Sequence, residues 1–218
     1  MGQVAYALPM YVPKANEETR LEVLHALIRA HPLGTWTLFD GEDLVTNHVP
    51  FQLDAARGPF GTLVGHVARA NPVWRSGTTP IRSVVAFQGA QAYVTPSWYP
   101  SKLEHGKTVP TWNYAVVHAR GVPTFIQDRD WLHAHVSSLT DAHEAAEPAP
   151  WAVADAPDAY VEKQLGAIVG VEIPIDRLLG KWKASQNRPA TDRAGVVEGL
   201  RRRGDAESAD LVARFGED

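Results

Sequence analysis

The chain has 218 residues, a formal net charge of −4 and no cysteine. The lack of cysteine excludes disulfides, thiolate metal sites and a cysteine nucleophile, and the slight acidity gives no support to nucleic-acid binding, which depends on phosphate neutralisation. No run of eighteen apolar residues occurs, so we expect no membrane helix and a cytoplasmic location.

The first predicted element is a helix over residues 17–30, where apolar residues recur at helical spacing until His31-Pro32 ends it. The hydrophobic period then changes to that of a strand, and short turns separate the apolar stretches. The strands predicted from this alternation cover residues 35–39, 44–53, 60–68, 81–88, 92–95 and 109–119. Because consecutive strands joined by short turns favour antiparallel pairing, we expect a barrel rather than a parallel sheet with crossover helices.

Helices dominate the last third of the sequence. The elements predicted there are helices over 128–139, from Thr140 onward, over 160–169, 193–203 and 206–215, and a strand over 171–175 that follows a C-cap at Gly170. We therefore predict one α+β domain over residues 1–218 with a mainly β core. Its parts would be a barrel over about 33–126 with a strand at about 171–184, and C-terminal helices over about 192–216.

The junction between the strand over 60–68 and the next predicted helix has the composition of a phosphate site. Asn71 is a favoured N-cap and Pro72 a favoured first helical residue, so free backbone N–H groups are expected there. Arg69 stands just before the cap, where its forked guanidinium could bind a phosphate, and His66 lies three residues earlier. The alternative is a capped helix with Arg69 in a surface salt bridge.

A second polar cluster covers residues 180–187, with two lysines, a hydroxyl and two amides. On a strand, Lys181, Lys183 and Ser185 would share one face, opposite Trp182. This pattern suits an anionic ligand or a subunit interface; the alternative is a solvated edge strand. A third cluster, around Trp98 in the proline-pinned segment 93–102, suits stacking on a flat ring system, although core packing explains the neighbouring aromatic residues equally well.

Other chemistries find less support in the sequence. His133 and His135 are two residues apart in a predicted helix and so point to different sides, which argues against a metal site. No nucleophile elbow, Walker motif or dinucleotide glycine motif is present, and no catalytic residue is predicted. The arginines at 201–203 invite a helix-turn-helix interpretation, but acidic residues follow them directly, and direct DNA binding is doubtful.

The ordered motifs Gly65–Pro72, Pro96-Ser97-Trp98-Tyr99, Val109–Tyr114, Lys181-Trp182-Lys183 and Ser185-Gln186-Asn187 resemble the PaiB-like family, described as FMN-binding negative transcriptional regulators. Further matches are Met10–Pro13 and His143-Glu144, so the resemblance covers nearly the whole chain. Ala90 and Ala184 depart from the family pattern, which puts loop shape and packing in doubt more than flavin binding.

The resemblance implies an antiparallel split β-barrel of the FMN-binding type, with flanking helices, that binds FMN at a homodimer interface. The cofactor-binding residues that we predict are Asn47, His48, His66, Arg69, Asn71, Trp98, Lys181, Lys183, Ser185 and Gln186. The implied function is a flavin-dependent regulatory protein. The alternatives are a flavin reductase or oxidase acting on a small substrate, and a haem protein with His48 or His66 as the iron ligand.

Overall fold

Nine strands form one sheet in the computed structural model, which describes residues 10–75 and 81–215. The strands are β1 Glu17–Glu18, β2 Leu33–Phe39, β3 Leu44–Pro50, β4 Gln52–Asp54, β5 Thr62–Ala68, β6 Ser83–Val94, β7 Thr111–Gly121, β8 Thr124–Ile126 and β9 Ile168–Lys183. Their order is β3-β2-β6-β7-β9-β5-β4, and β1 and β8 each pair with β9. The β2–β3, β2–β6, β4–β5 and β5–β9 pairs are antiparallel, as the sequence predicted.

Four of the six helices in the described ranges lie in the second half of the chain. They are α1 Leu21–Ala30, α2 Ser101–His105, α3 Arg129–Glu144, α4 Asp158–Leu165, α5 Ala190–Arg202 and α6 Ala206–Phe215. None of the helices in the described ranges is long and apolar enough to cross a membrane.

The chain divides into two compact units, and β6, β7 and β9 each contribute residues to both. The terminal unit comprises Met1–Leu27, Gln88–Val117 and Leu179–Asp218, and the central unit comprises Ile28–Phe87 and His118–Leu178.

The central unit has an aromatic core. Alternate residues of β2 are buried, among them Trp36, whose ring meets Phe51 edge-on at 6.4 Å between centroids. Phe51 in turn meets Phe87 at 6.3 Å. Gly34 allows this packing, because a Cβ there would lie 2.4 Å from a methyl group of Val85.

The terminal unit has its own apolar cluster, in which α5 and α6 pack on the end of β6 and on the 3₁₀ turn Pro96–Trp98. The buried members are Ala92, Val94, Tyr99, Val196, Leu200, Ala209 and Val212, and the side chains of Trp98 and Val197 pack against them. The buried carboxylate of Asp192 joins α5 to α2 by accepting hydrogen bonds from the backbone N and the hydroxyl of Ser101, at 3.1 and 2.7 Å.

Several element boundaries differ from those predicted. Residues 17–18 are strand rather than helix, because Glu17 pairs with Lys181 of β9. The strand predicted over 44–53 breaks at Phe51, whose N–H donates to the carbonyl of Pro32 outside the ladder. The two helices predicted over 128–144 are one, α3, with Asp128 as its N-cap through a hydrogen bond from Trp131 N.

The predicted C-cap at Gly170 is also wrong. Gly170 lies inside β9, which begins at Ile168 and includes the strand predicted over 171–175, and it pairs with His66 of β5. A glycine is needed there for packing, because a Cβ would lie 2.2 Å from the ring of Trp131.

We expect Gly195→Ala to destabilise the protein. Alanine normally stabilises a helix interior relative to glycine, but a Cβ at position 195 would lie 2.0 Å from the backbone oxygen of Trp98. Overpacking of this kind costs roughly 1–3 kcal/mol, and urea unfolding would measure the loss. The matched control is Gly166→Ala, where the nearest atom to the new Cβ lies at 3.5 Å and no loss is expected. An unchanged or raised midpoint for Gly195→Ala would contradict the packing described.

Candidate functional site

The structure divides the ten predicted site residues between the two units. Five belong to the central unit, namely Asn47, His48, His66, Arg69 and Asn71. The other five belong to the terminal unit, namely Trp98, Lys181, Lys183, Ser185 and Gln186. Each group is described within its own unit.

A polar cavity of about 320 Å³ lies at the end of β9 in the terminal unit, and we call it the β9 pocket. Its lining consists of Pro13, Ala15, Asn16, Thr111, Asn113, Lys183, Ser185, Asn187 and Arg188. Two of the predicted residues, Lys183 and Ser185, are therefore brought together with polar groups from β7 and from the turn after β9.

The β9 pocket carries two cationic side chains. Lys183 donates from Nζ to the hydroxyl of Thr111 at 2.5 Å, which leaves further ammonium protons for a ligand. The guanidinium of Arg188 lies over the ring of Tyr99, 4.7 Å from its centroid. Apart from these two, no side chain in the lining is formally charged, so the pocket favours an anion.

The floor of the β9 pocket holds a buried side-chain pair. Asn113 is fully buried and donates from Nδ2 to Oγ of Ser185 at 2.8 Å, while its own Oδ1 has no hydrogen-bond partner within the described ranges. Ser185 adopts the left-handed backbone conformation, with φ of 62°, which is unfavourable for a residue with a side chain. Backbone strain and orphaned polar atoms cluster at ligand sites.

Three other predicted residues of the terminal unit have structural contacts. Lys181 donates to the carbonyl of Tyr11, 3.0 Å away, and its ammonium lies 5.4 Å from the ring centroid of Tyr114. Gln186 closes the turn after β9 through hydrogen bonds with Ala184 N and Trp182 O.

Trp98 is half-buried against the C-terminal helices. A Cβ at Gly199 would lie 2.3 Å from its indole ring, and the guanidinium of Arg203 lies 4.4 Å from the ring centroid. The predicted stacking role of Trp98 is untested, and its ring already contacts α5.

The predicted phosphate ligand Arg69 uses its guanidinium within the central unit. Its Nε and one Nη donate to the carbonyls of Gly166 and Ile168 at 2.8 and 3.0 Å. The other Nη donates to Gln127 at 2.8 Å. Arg69 thus joins the end of β5 to the start of β9, and its role as a phosphate ligand stays a prediction.

The helix predicted after Asn71 is a single 3₁₀ turn, Pro72–Arg75. Asn71 caps it as expected, since Val73 N donates to the side-chain oxygen of Asn71 at 3.0 Å, and Asn71 donates to Asn47 at 2.6 Å. One turn has little of the aligned dipole on which the helix-terminus argument depended.

His66 forms a pair with a histidine that the sequence analysis considered only as a metal ligand. Nδ1 of His66 lies 3.0 Å from Nε2 of His135 on α3, and Trp131 stacks on His135 with an interplanar angle of 26°. Burial lowers the pKa of His66, and burial together with His66 lowers the pKa of His135 to about 4. His48, by contrast, is exposed on β3.

A cleft of about 360 Å³ adjoins this pair in the central unit. Its residues include Trp131, His135, Glu172 and Arg57, and the carboxylate of Glu172 accepts two 2.6 Å hydrogen bonds from the guanidinium of Arg57. Arg57 holds the pKa of Glu172 below its usual range.

Sequence reasoning missed the partners that complete both groups. Asn113 was considered only as part of an aromatic segment, and Arg188 and Thr111 were not singled out. Asn113 and Ser185 are 72 positions apart, and His66 and His135 are 69 apart. No local spacing signals such a pair, but an asparagine inside an apolar alternating strand such as β7 is a usable warning.

The fold and these polar groups together define a protein of the antiparallel split β-barrel class. Solved structures with this fold include the FAD and heme binding protein from Mycobacterium smegmatis, with a TM-score of 0.55 and 20% identity over 77% of this chain and 73% of that one. Another is the flavocytochrome Anf3 from Azotobacter vinelandii, with a TM-score of 0.55 and 14% identity over 84% of this chain and 78% of that one. The predicted fold class is confirmed.

A model of the family described as "Putative FMN-binding domain" matches residues 10–177, and the chain belongs to this family. The protease synthase and sporulation protein PAI 2 of Bacillus subtilis is 29% identical over 88% of this chain and 89% of its own length. An uncharacterized protein of Aspergillus fumigatus is 35% identical over 89% of this chain and 92% of its own. The resemblance to the PaiB-like family is thus confirmed, and the predicted cofactor, FMN, is the one for which the matching family is named.

The buried histidine pair should make stability depend on pH. The folded pKa of His135 lies near 4 and the ordinary value is 6.5, so the unfolded chain binds the proton first. The free energy of unfolding should therefore fall as pH falls from about 6.5 to about 4, by about 3 kcal/mol at full extent. Urea unfolding across this range would measure it.

His135→Phe should flatten that dependence, while replacement of the exposed His48 by glutamine should leave it unchanged. The pKa of Glu172 is also lowered, so protonation of this carboxylate at lower pH reduces the free energy of unfolding as well. The quantity to compare is therefore the difference in free energy of unfolding between wild type and His135→Phe. If this difference in free energy of unfolding is the same at pH 7 and at pH 4, the lowered pKa of His135 is contradicted.

Proposed function

We propose that the chain is an FMN-dependent regulatory protein whose β9 pocket holds the phosphate and ribityl groups of the flavin. The observation that carries this proposal is a single cavity that combines two cations with a buried, unpartnered side-chain oxygen. FMN offers a complementary group for each, because its phosphate is anionic and its ribityl chain carries hydroxyl donors.

The cations of the pocket suit a phosphate. The ammonium of Lys183 and the guanidinium of Arg188 can both donate charge-assisted hydrogen bonds, which are stronger than neutral ones. Lys183 spends one proton on Thr111 and keeps two, so it can accept a phosphate without leaving that hydroxyl unpaired.

The unpartnered oxygen of Asn113 suits a hydroxyl. A buried acceptor without a partner costs about 1–3 kcal/mol, and an O–H of the ribityl chain would remove that cost. Asn113 Nδ2 already donates to the hydroxyl of Ser185, so Oδ1 is the atom left for a ligand.

A regulatory role is supported by the name of a relative. The Bacillus subtilis relative is named protease synthase and sporulation protein PAI 2. We propose that the present chain likewise acts through its flavin-bound state.

Direct contact with DNA is not part of the proposal. The arginines at 201–203 are engaged within the terminal unit: Arg202 donates to Glu198 at 2.9 Å, Arg201 lies 3.7 Å from Asp210, and Arg203 covers Trp98. A regulatory effect would then pass through a partner protein or through the flavin state.

We also propose that the chain is a homodimer. Support comes from exposed aromatic residues of the terminal unit, where Tyr93 and Trp112 form an edge-on pair at 6.1 Å although both remain more than two-fifths exposed. Val109, also largely exposed, lies near them in sequence. Apolar surface of this kind is typical of an interface between subunits.

Lys183→Ala should lower the affinity for FMN by one to two orders of magnitude, because one lost charge-assisted hydrogen bond is worth roughly 1.5–3 kcal/mol. Riboflavin lacks the phosphate, so its affinity should change little. Fluorescence titration of both flavins would measure the two constants.

The competing prediction places the phosphate at Arg69, and the same titration separates the two. If Arg69 only joins β5 to β9, Arg69→Ala should change the affinities for FMN and for riboflavin by the same factor. A loss confined to FMN in Arg69→Ala, with Lys183→Ala unaffected, would overturn the β9 pocket as the phosphate site. Lys181→Ala is the matched control, since Lys181 is on the same strand but outside the pocket lining.

The absorbance spectrum should show flavin bands that NAD(P)H does not bleach at a catalytic rate. Rapid bleaching would favour the alternative of a flavin reductase or oxidase, and a Soret band would favour the haem alternative. A mobility-shift assay at nanomolar protein should give no salt-sensitive, sequence-specific complex with DNA. Such a complex, lost on substitution of the arginines at 201–203, would contradict the proposed indirect regulation.

A further inference from the structure

A single N–H proton lies between the rings of His66 and His135 in their hydrogen bond. Burial lowers the pKa of both side chains, so both rings are neutral near pH 7. A neutral imidazole has one N–H donor and one bare acceptor nitrogen. In the 3.0 Å contact between Nδ1 of His66 and Nε2 of His135, one ring must therefore donate and the other accept.

Two arrangements satisfy this condition, and the surroundings of His135 distinguish them. If His66 donated from Nδ1, the proton of His135 would stand on its own Nδ1, which is buried and has no hydrogen-bond partner among the described residues. Orphaned buried N–H groups are rare in folded proteins. Both rings would also hold the Nδ1–H tautomer, which free histidine disfavours.

The opposite arrangement avoids both problems. If His135 donates from Nε2, its buried Nδ1 carries no proton, and His66 accepts at Nδ1 and must carry its own proton on Nε2. Both rings then hold the tautomer that free histidine favours. His135 thereby determines the tautomer of His66.

The surroundings also prevent His135 from turning away. The indole of Trp131 stacks on it and donates from Nε1 to Glu172 at 3.2 Å, while Arg57 holds Glu172 with two hydrogen bonds. Gly170 has no side chain, and this leaves room for that indole. Arg57 from the turn between β4 and β5, Trp131 from α3 and Glu172 from β9 thus fix one orientation of the pair.

We propose that His135 is a positioning residue that fixes His66 as the Nε2–H tautomer, so that β5 presents an N–H donor to an acceptor atom of a ligand. The choice of FMN as the ligand to test rests on the proposed function, whereas the tautomer does not. His66 is partly exposed, as a residue that contacts a ligand must be.

The test is long-range ¹⁵N NMR of the histidine rings, first without FMN. His66 should show a pyrrole-type Nε2 and a pyridine-type Nδ1. His135→Phe should convert His66 to a mixture of tautomers, whereas His135→Gln, whose amide can still donate, should restore the wild-type pattern. A wild-type His66 protonated on Nδ1, or a pattern that His135→Phe leaves unchanged, would overturn the proposal.

FMN is then added to saturation, followed independently by absorbance. The Nε2–H signal of His66 should shift, and His135→Phe should weaken FMN by roughly five- to tenfold, with recovery in His135→Gln. A bound flavin that leaves His66 Nε2 unshifted would overturn the acceptor assignment. Failure of FMN to bind at all would contradict the proposed function and leave the tautomer result standing, and replacement of the exposed His105 by glutamine controls for the loss of a histidine as such.

Discussion

Strand β9 pairs with β1, β5 and β8 along its sixteen residues, and both groups of candidate site residues depend on this ladder. At its start, pairing with β5 places Gly170 opposite His66, which leaves room for Trp131 and sets His135 against His66. At its end, the same strand delivers Lys183 to the β9 pocket. A change of register by one residue would turn every one of these side chains to the opposite face.

Two of the buried side-chain atoms that lack a hydrogen-bond partner within the described ranges belong to these two groups. They are Oδ1 of Asn113 and Nδ1 of His135, and each belongs to a side chain whose other polar atom is bound to a neighbour. Each side chain is thus held in one orientation at the expense of one unsatisfied atom, a feature that is common at ligand sites.

Local patterns predicted most of the fold. Alternation identified β2, capping residues identified the turn after Asn71 and the start of α3 at Asp128, and α6 has the predicted bounds. The errors arose where tertiary pairing overrides local preference. Glu17 is strand only because β9 lies beside it, and Gly170, which resembles a helix C-cap in sequence, continues a strand because the indole of Trp131 needs the space.

The same holds for the candidate site. The sequence shows where polar residues are concentrated, but it does not show which distant residues they contact. Lys183 and Ser185 were found because lysine, hydroxyl and amide residues crowd into one short segment. Asn113 was not, because its significance depends on burial and on Ser185, 72 positions away. The enclosure of Trp98 by α5 likewise depends on Gly199, whose lack of a side chain has no meaning until the two are in contact.

The proposed choice of Lys183 over Arg69 as the phosphate ligand depends on the contacts that each cation already makes. Arg69 uses three of its five N–H groups on the carbonyls of Gly166 and Ile168 and on the side chain of Gln127, so one N–H of each Nη remains, in a direction that these contacts fix. Lys183 releases nothing, because its ammonium has two protons beyond the one on Thr111. Arg69 is held by the carbonyls of Gly166 and Ile168, whereas Lys183 has one neutral partner and lines the same pocket as Asn113, and this difference is why we propose the β9 pocket as the phosphate site.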